Sequence, residues 1–210
     1  MRFFDFHHHC LNKSAGIYNL NVDENPPKNY FSAGIHPSLS AEVTDQQFVW
    51  LQEIARHQNC VAIGECGLDG LINVDEKTQE QIFQRQIDLA NEVNKPLIIH
   101  CVRRFPQLIR FQRQTKVPLI VHGFNKRKII GDELQNHNFY LSFGKSVLQN
   151  VNLQQFVKGF PIEKLFLETD DSDFDIQLLY LKVAALKNIE LENLLEQIEE
   201  NLKIFNIPHL

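Results

Sequence analysis

Eight short runs rich in Ile, Val and Phe recur along the chain: FFDFHHH (3–9), GIYNLNV (16–22), YFSAGIHP (30–37), CVAIGEC (60–66), PLIIHC (96–101), PLIVHGF (118–124), FYLSFG (139–144) and KLFLETD (164–170). Several show little polar alternation, the pattern of parallel strands buried on both faces. Amphipathic stretches lie between them. Residues 41–57 place Phe48, Leu51, Ile54 and Ala55 at helical spacing, and residues 76–94 do the same with Ile82, Phe83, Ile87, Leu89 and Ala90. Further helices are expected over 104–115, 126–136 and 147–158, and residues 173–206 read as two helices broken between Asn188 and Leu191. This alternation predicts an α/β fold, a TIM-like (β/α)8 barrel formed as a single domain over residues 1–210. One link is anomalous. Only Cys10 to Ala15 separate the first two runs, fewer than the dozen residues that a parallel crossover normally needs. We read a barrel with a shortened first βα unit; the alternative is that the second run is not a barrel strand.

Composition narrows the function. The chain is 43% hydrophobic over 210 residues, enough for one core, and its formal charge of -5 excludes a generic polyanion binder. Nucleic acid would need a local basic patch or a metal. The four cysteines, Cys10, Cys60, Cys66 and Cys101, have no CxxC spacing and suit reduced thiols in a cytoplasmic protein. The N-terminal residues carry no signal-peptide pattern, and no apolar run approaches the ~20 residues of a membrane span. A monomer without a membrane partner is expected.

The informative polar residues sit at the C-terminal ends of the apolar runs. His7 and His9 end the first run and share a face of the strand, while His8 points away. Glu65 ends the fourth run, His100 the fifth, His122 the sixth and Asp170 the eighth. In a barrel these ends converge on one face, where active sites lie. Four histidines and two carboxylates there suit a divalent-metal site, with room for a pair of ions. Zn, Mn, Fe, Co or Ni fits such a mixed set, whereas Mg prefers mainly oxygen.

The motifs DFHHH (5–9), SAGIHP (32–37), AIGECGLD (62–69), PLIIHC (96–101), IVHGF (120–124), YLSFG (140–144) and LFLETD (165–170) run in an order that resembles the TatD family of metal-dependent hydrolases, often called TatD-type deoxyribonucleases. The resemblance implies a barrel with a binuclear site. One ion would take His7, His9, Glu65 and Asp170, the other Glu65, His100 and His122, with Glu65 bridging. It implies hydrolysis of phosphodiester bonds in DNA or oligonucleotides, with Asp170 and Glu65 as catalytic residues. Arg103 would hold a phosphate oxygen and His36 would touch substrate. Asp69 is expected to orient a neighbour.

Some features depart from the family's pattern. Gly70 follows Asp69 where an aromatic residue is common, and Asp171-Ser172 replaces the usual alanine and proline after Asp170. The arginine after His100 stands one place late, at Arg103. The loop after Asp170 is short, since Phe174 to Tyr180 already reads as helix. The metal pattern therefore supports hydrolysis more strongly than it supports DNA as the substrate. An amidohydrolase or esterase of small molecules would use the same site, and a non-catalytic barrel scaffold is the third reading.

Overall fold

The structure, a computed structural model, describes residues 2–13 and 15–207. All eight apolar runs form strands: β1 (Asp5–His8), β2 (Gly16–Leu20), β3 (Phe31–Ala33), β4 (Cys60–Asp69), β5 (Leu97–Val102), β6 (Leu119–Val121), β7 (Tyr140–Phe143) and β8 (Leu165–Leu167). They pair in chain order, and every pairing is parallel. The ring closes narrowly. Beyond β8 the Asp170 amide donates to the His7 carbonyl at 2.9 Å, and a single bridge joins His8 to Asp170.

The second run is a barrel strand, so the first βα unit is indeed stripped to a loop. The reason is length: β1 has four residues, a rise of about 13 Å, which a few extended residues can retrace. The link from β2 to β3 also lacks a helix, which the sequence pattern did not single out. Its Asp23-Glu24-Asn25-Pro26-Pro27 has no apolar stripe, and the Glu24 carboxylate folds it back by accepting from the Tyr18 hydroxyl and the Asn21 amide.

Helices follow where the pattern placed them, and caps set the ends of several. These are α1 (Asp45–Ile54), α2 (Glu76–Val93), α3 (Phe105–Gln112), α4 (Lys128–Asn136), α5 (Val151–Gly159), α6 (Ile176–Lys187) and α7 (Leu191–Asn201). Thr44 and Gln47 form a reciprocal capping box that starts α1 at Asp45, later than the expected start at residue 41. The helix expected from residue 147 begins instead at Val151, because Asn150 accepts from the Leu153 amide and a separate 3-10 turn occupies Lys145–Leu148. Left-handed Asn188 ends α6 and breaks the tail in two.

The tail covers the strands that lack a helix of their own. Phe6 of β1 stacks on Phe166 of β8 at 4.5 Å, and both rings meet Phe205 beyond α7. The Tyr180 hydroxyl of α6 donates to the Phe4 carbonyl at 2.8 Å. Full burial of each such ring contributes roughly 1.5–3 kcal/mol. On the opposite side β4 and β5 run unusually close. At Gly67, with φ of 139°, a Cβ would lie 2.1 Å from the His100 carbonyl oxygen. Among the described residues no helix is long and apolar enough to cross a membrane.

Candidate metal centre

Parallel strands send alternate side chains to one face, and the barrel gathers the strand ends, so residues far apart in sequence meet at the mouth. Glu65 stands at the centre. Its Oε1 lies 2.9 Å from His100 Nδ1, 2.8 Å from His122 Nε2 and 3.5 Å from His36 Nε2. Its Oε2 faces His7 Nε2 at 3.7 Å. On that same side Asp170 Oδ1 lies 3.3 Å from His9 Nε2 and 3.8 Å from His7 Nε2. His7, Glu65 and His122 form one group with ligand atoms all within 4.8 Å of one another; His7, His9 and Asp170 form a second, and His36, Glu65 and His100 a third. The structure thus brings together all six residues that the sequence proposed as ligands.

The electrostatics follow from packing acids and imidazoles into a poorly hydrated mouth. Burial pushes the Glu65 carboxyl up, but the His122 charge and the hydrogen bonds from His100 and His122, with His7 close by, outweigh it and hold the group well below the usual carboxylate range. Burial pushes His122 down, yet the Glu65 and Glu168 carboxylates raise it well above an ordinary histidine. The hydrogen bond to Asp170 raises His9, against the effect of burial. Asp170 is pushed up by burial and pulled down further by His9, His122 and His7, so it stays ionised.

Other residues take distinct places. Asp69 Oδ2 lies 3.0 Å from His100 Nε2. His8 turns away from the cluster, against Gly16 and Tyr18. His36 sits closer to the carboxylate centre than a mouth-loop position suggested. Arg103 does not line the cavity of about 600 Å³ above the cluster; the cation there is Lys126. The neighbouring Arg104 is buried and pairs with Glu76 and Glu80 of α2.

Sequence reasoning missed Glu168. It is fully buried, its Oε1 accepts from the Gly123 amide at 2.6 Å and lies 3.6 Å from His122 Nδ1, and with His122 and Asp170 it forms a fourth ligand-distance group. Two-residue periodicity could have found it, since Glu168 and Asp170 share a face.

The residues fit divalent cations. Both ring nitrogens of His7, His122 Nδ1 and Glu168 Oε2 are buried without a hydrogen-bond partner among the described residues. Such orphaned groups are costly unless something coordinates them. Imidazole nitrogens mixed with carboxylate oxygens are the donor set of Zn, Mn, Fe, Co or Ni.

The profile of the family described as TatD related DNase matches residues 9–206. An uncharacterized metal-dependent hydrolase, YabD, from Bacillus subtilis is 35% identical over 67% of the chain and 58% of its own length. The 3'-5' ssDNA/RNA exonuclease TatD of Rahnella is 31% identical over 71% of the chain and 59% of its own length. The chain therefore spans a little under three fifths of these two curated relatives. The crystal structure of YJJV, a TatD homolog from Escherichia coli, superposes with a TM-score of 0.81 at 18% identity, covering 98% of both chains.

Proposed function

Because the chain belongs to the TatD-related DNase family, we propose that it is a metal-dependent hydrolase that cleaves phosphodiester bonds at DNA ends or in short oligonucleotides. One ion would be held by His7, His9, Glu65 and Asp170 and a second by Glu65, His100 and His122. The observation that carries this division is the splayed Glu65 carboxylate, with one oxygen toward His100 and His122 and the other toward His7. His36 is close enough to add to the second set.

When bound, the ions would supply Lewis acidity and ease the deprotonation of water. The chain's own residues do the rest. Asp170, kept ionised by its histidine neighbours, accepts a proton from the attacking water and returns it to the leaving oxygen. Asp69 holds His100 from behind, and Glu168 faces His122 Nδ1 at 3.6 Å. Lys126 meets the substrate's negative charge on the cavity wall. We place the protein in the cytoplasm, on the support of four free thiols, three of them buried.

A second reading keeps these residues and changes the bond to a small ester or amide. The apolar side chains of Val121, Phe105 and Phe124 on the cavity wall favour it.

The test is a metal-reconstituted activity screen over single-stranded DNA, RNA and simple esters with chelator controls. Metal-dependent, chelator-sensitive release from nucleic-acid ends is expected, and Glu65→Gln should lower occupancy of both ions. Hydrolysis of esters or amides alone, in every metal, would move the assignment to the second reading. Loss of one ion only in Glu65→Gln would contradict the bridge.

A further inference from the structure

The cavity over the metal centre continues past the edge of the barrel mouth. On the β6 side it shares Asn125 and Lys126 with a second depression of about 580 Å³, set between the first turns of α4 and α5. Lys126, Arg127 and Lys128 line this depression together with the amides of Asn152 and Gln155, and no carboxylate does. The chain as a whole has 26 acidic and 21 basic residues. Three cations in a depression that no carboxylate lines run against that average.

The three cations are not equivalent. Lys128 is neutralised by Asp132 at 2.6 Å. The side chains of Lys126 and Arg127 form no ion pair among the described residues, so their charge is available to a ligand. Lys126 is half-buried at the junction of the two depressions, and Arg127 is exposed just beyond it. The order from the metal centre outward is therefore carboxylate–imidazole cluster, Lys126, Arg127. α4 starts at Lys128 without a side-chain cap, which leaves its first amide groups open on the same rim.

We propose that this depression is an anion subsite for the backbone phosphates next to the scissile one, so that a single-stranded oligonucleotide leaves the metal centre across the β6–α4 loop. The inference rests on the phosphodiesterase reading and deepens it. A cation at the junction and another beyond it suit a chain of regularly spaced phosphates. A small ester would occupy the first cavity alone and gain nothing from Arg127. Unpaired cations facing a chain of phosphates give binding that tracks the backbone.

The test uses the full chain with Lys126→Ala and Arg127→Ala combined, two changes outside the buried core, and Lys116→Ala at the opposite end of β6 as the control. Binding of a fluorescent oligothymidylate of about eight nucleotides is followed by anisotropy in chelator across a salt series. Each phosphate contact on a single strand contributes about 0.7 to the slope of log affinity against log salt, so the double variant should lower the slope by about 1.4. Lys116→Ala should leave it unchanged. A double variant with the slope of the parent, or a parent that does not bind the oligonucleotide at low salt, overturns the subsite.

A second measurement compares KM for the same oligonucleotide with KM for a nucleoside p-nitrophenyl phosphate, which has one phosphodiester and no flanking phosphate. The double variant should raise the first about tenfold and the second by less. Equal rises would overturn the subsite. If no phosphodiester is cleaved in any metal while salt-dependent binding and its loss in the variant persist, the phosphodiesterase reading fails and the depression stands as a single-strand binding site without a scissile phosphate beside it.

Discussion

Asp170 Oδ1 lies 3.3 Å from His9 Nε2 and 3.8 Å from His7 Nε2, and the backbone turns there with a left-handed φ of 55°. A ligand-only role would make Asp170→Asn lose metal and activity together. We expect the base role to dominate, since His7, His9 and Glu65 can still hold the ion. Metal should then stay bound while turnover falls by about 10² to 10⁴-fold. Metal content and turnover measured on one sample decide it; full occupancy with normal turnover would shift attention to Asp171, which also lines the cavity. The six ligand candidates were legible in the sequence because each interrupts an apolar run at the same end, a pattern that survives without coordinates. Glu168 was hidden because it stands next to the more obvious Asp170, and its partner His122 lies 46 residues away in the chain. Lys126 was hidden for another reason. A cation in a loop has no periodicity, and only the shape of the mouth shows that it, and not Arg103, faces the cavity.

At the scale of elements, the seam between β1 and β8 is the narrowest part of the ring and is reinforced by side chains. Asp5 Oδ1 accepts from the Thr169 amide at 2.8 Å, and Oδ2 accepts from the Thr169 hydroxyl at 2.6 Å and from Lys13 Nζ at 2.7 Å. Lys13 comes from the short loop that replaces the first helix, and it also reaches the Thr169 hydroxyl. Lys13→Met would keep the stem but leave a buried carboxylate without its cation. We expect a loss of about 1–3 kcal/mol, less than for a fully buried pair because the lysine is partly exposed. Urea unfolding of the two proteins checks it, and an unchanged midpoint would deny the seam this role. The strands were legible from their apolar density. The helix-free second link was not, because proline and acidic residues between strands read as a loop of any length until the pairing shows that nothing else fills the gap.

For the molecule as a whole, the site couples metal, protons and stability. Without metal, His122 holds its proton well above pH 6.5, since Glu65 and Glu168 outweigh burial, and His9 is raised too. A group raised in this way stabilises the metal-free fold below its unfolded pKa of about 6.5, and that contribution is lost as pH rises through the raised value. Metal binding needs the same nitrogens free, so it displaces protons and strengthens as pH rises. The gap between metal-free and metal-loaded melting temperatures should therefore widen from pH 6 to pH 9. A gap that is constant over that range would show that the metal displaces no proton from these histidines.

The closure of the ring also has a consequence in time. Asp5 and Thr169 are 164 residues apart, and the groups that cover this strand come from Phe166 and Phe205, packed against Phe6, and from Tyr180, whose hydroxyl bonds the Phe4 carbonyl. At a synthesis rate of about 5–20 residues per second, roughly 10–30 s pass between the appearance of one side of the seam and the other. Throughout that interval the nascent chain presents β1 with one open edge and two uncovered aromatic rings, the kind of surface that chaperones engage. His7 and His9 reach the ribosome surface long before Asp170 does, so the set of groups at the mouth is completed only when β8 has been translated.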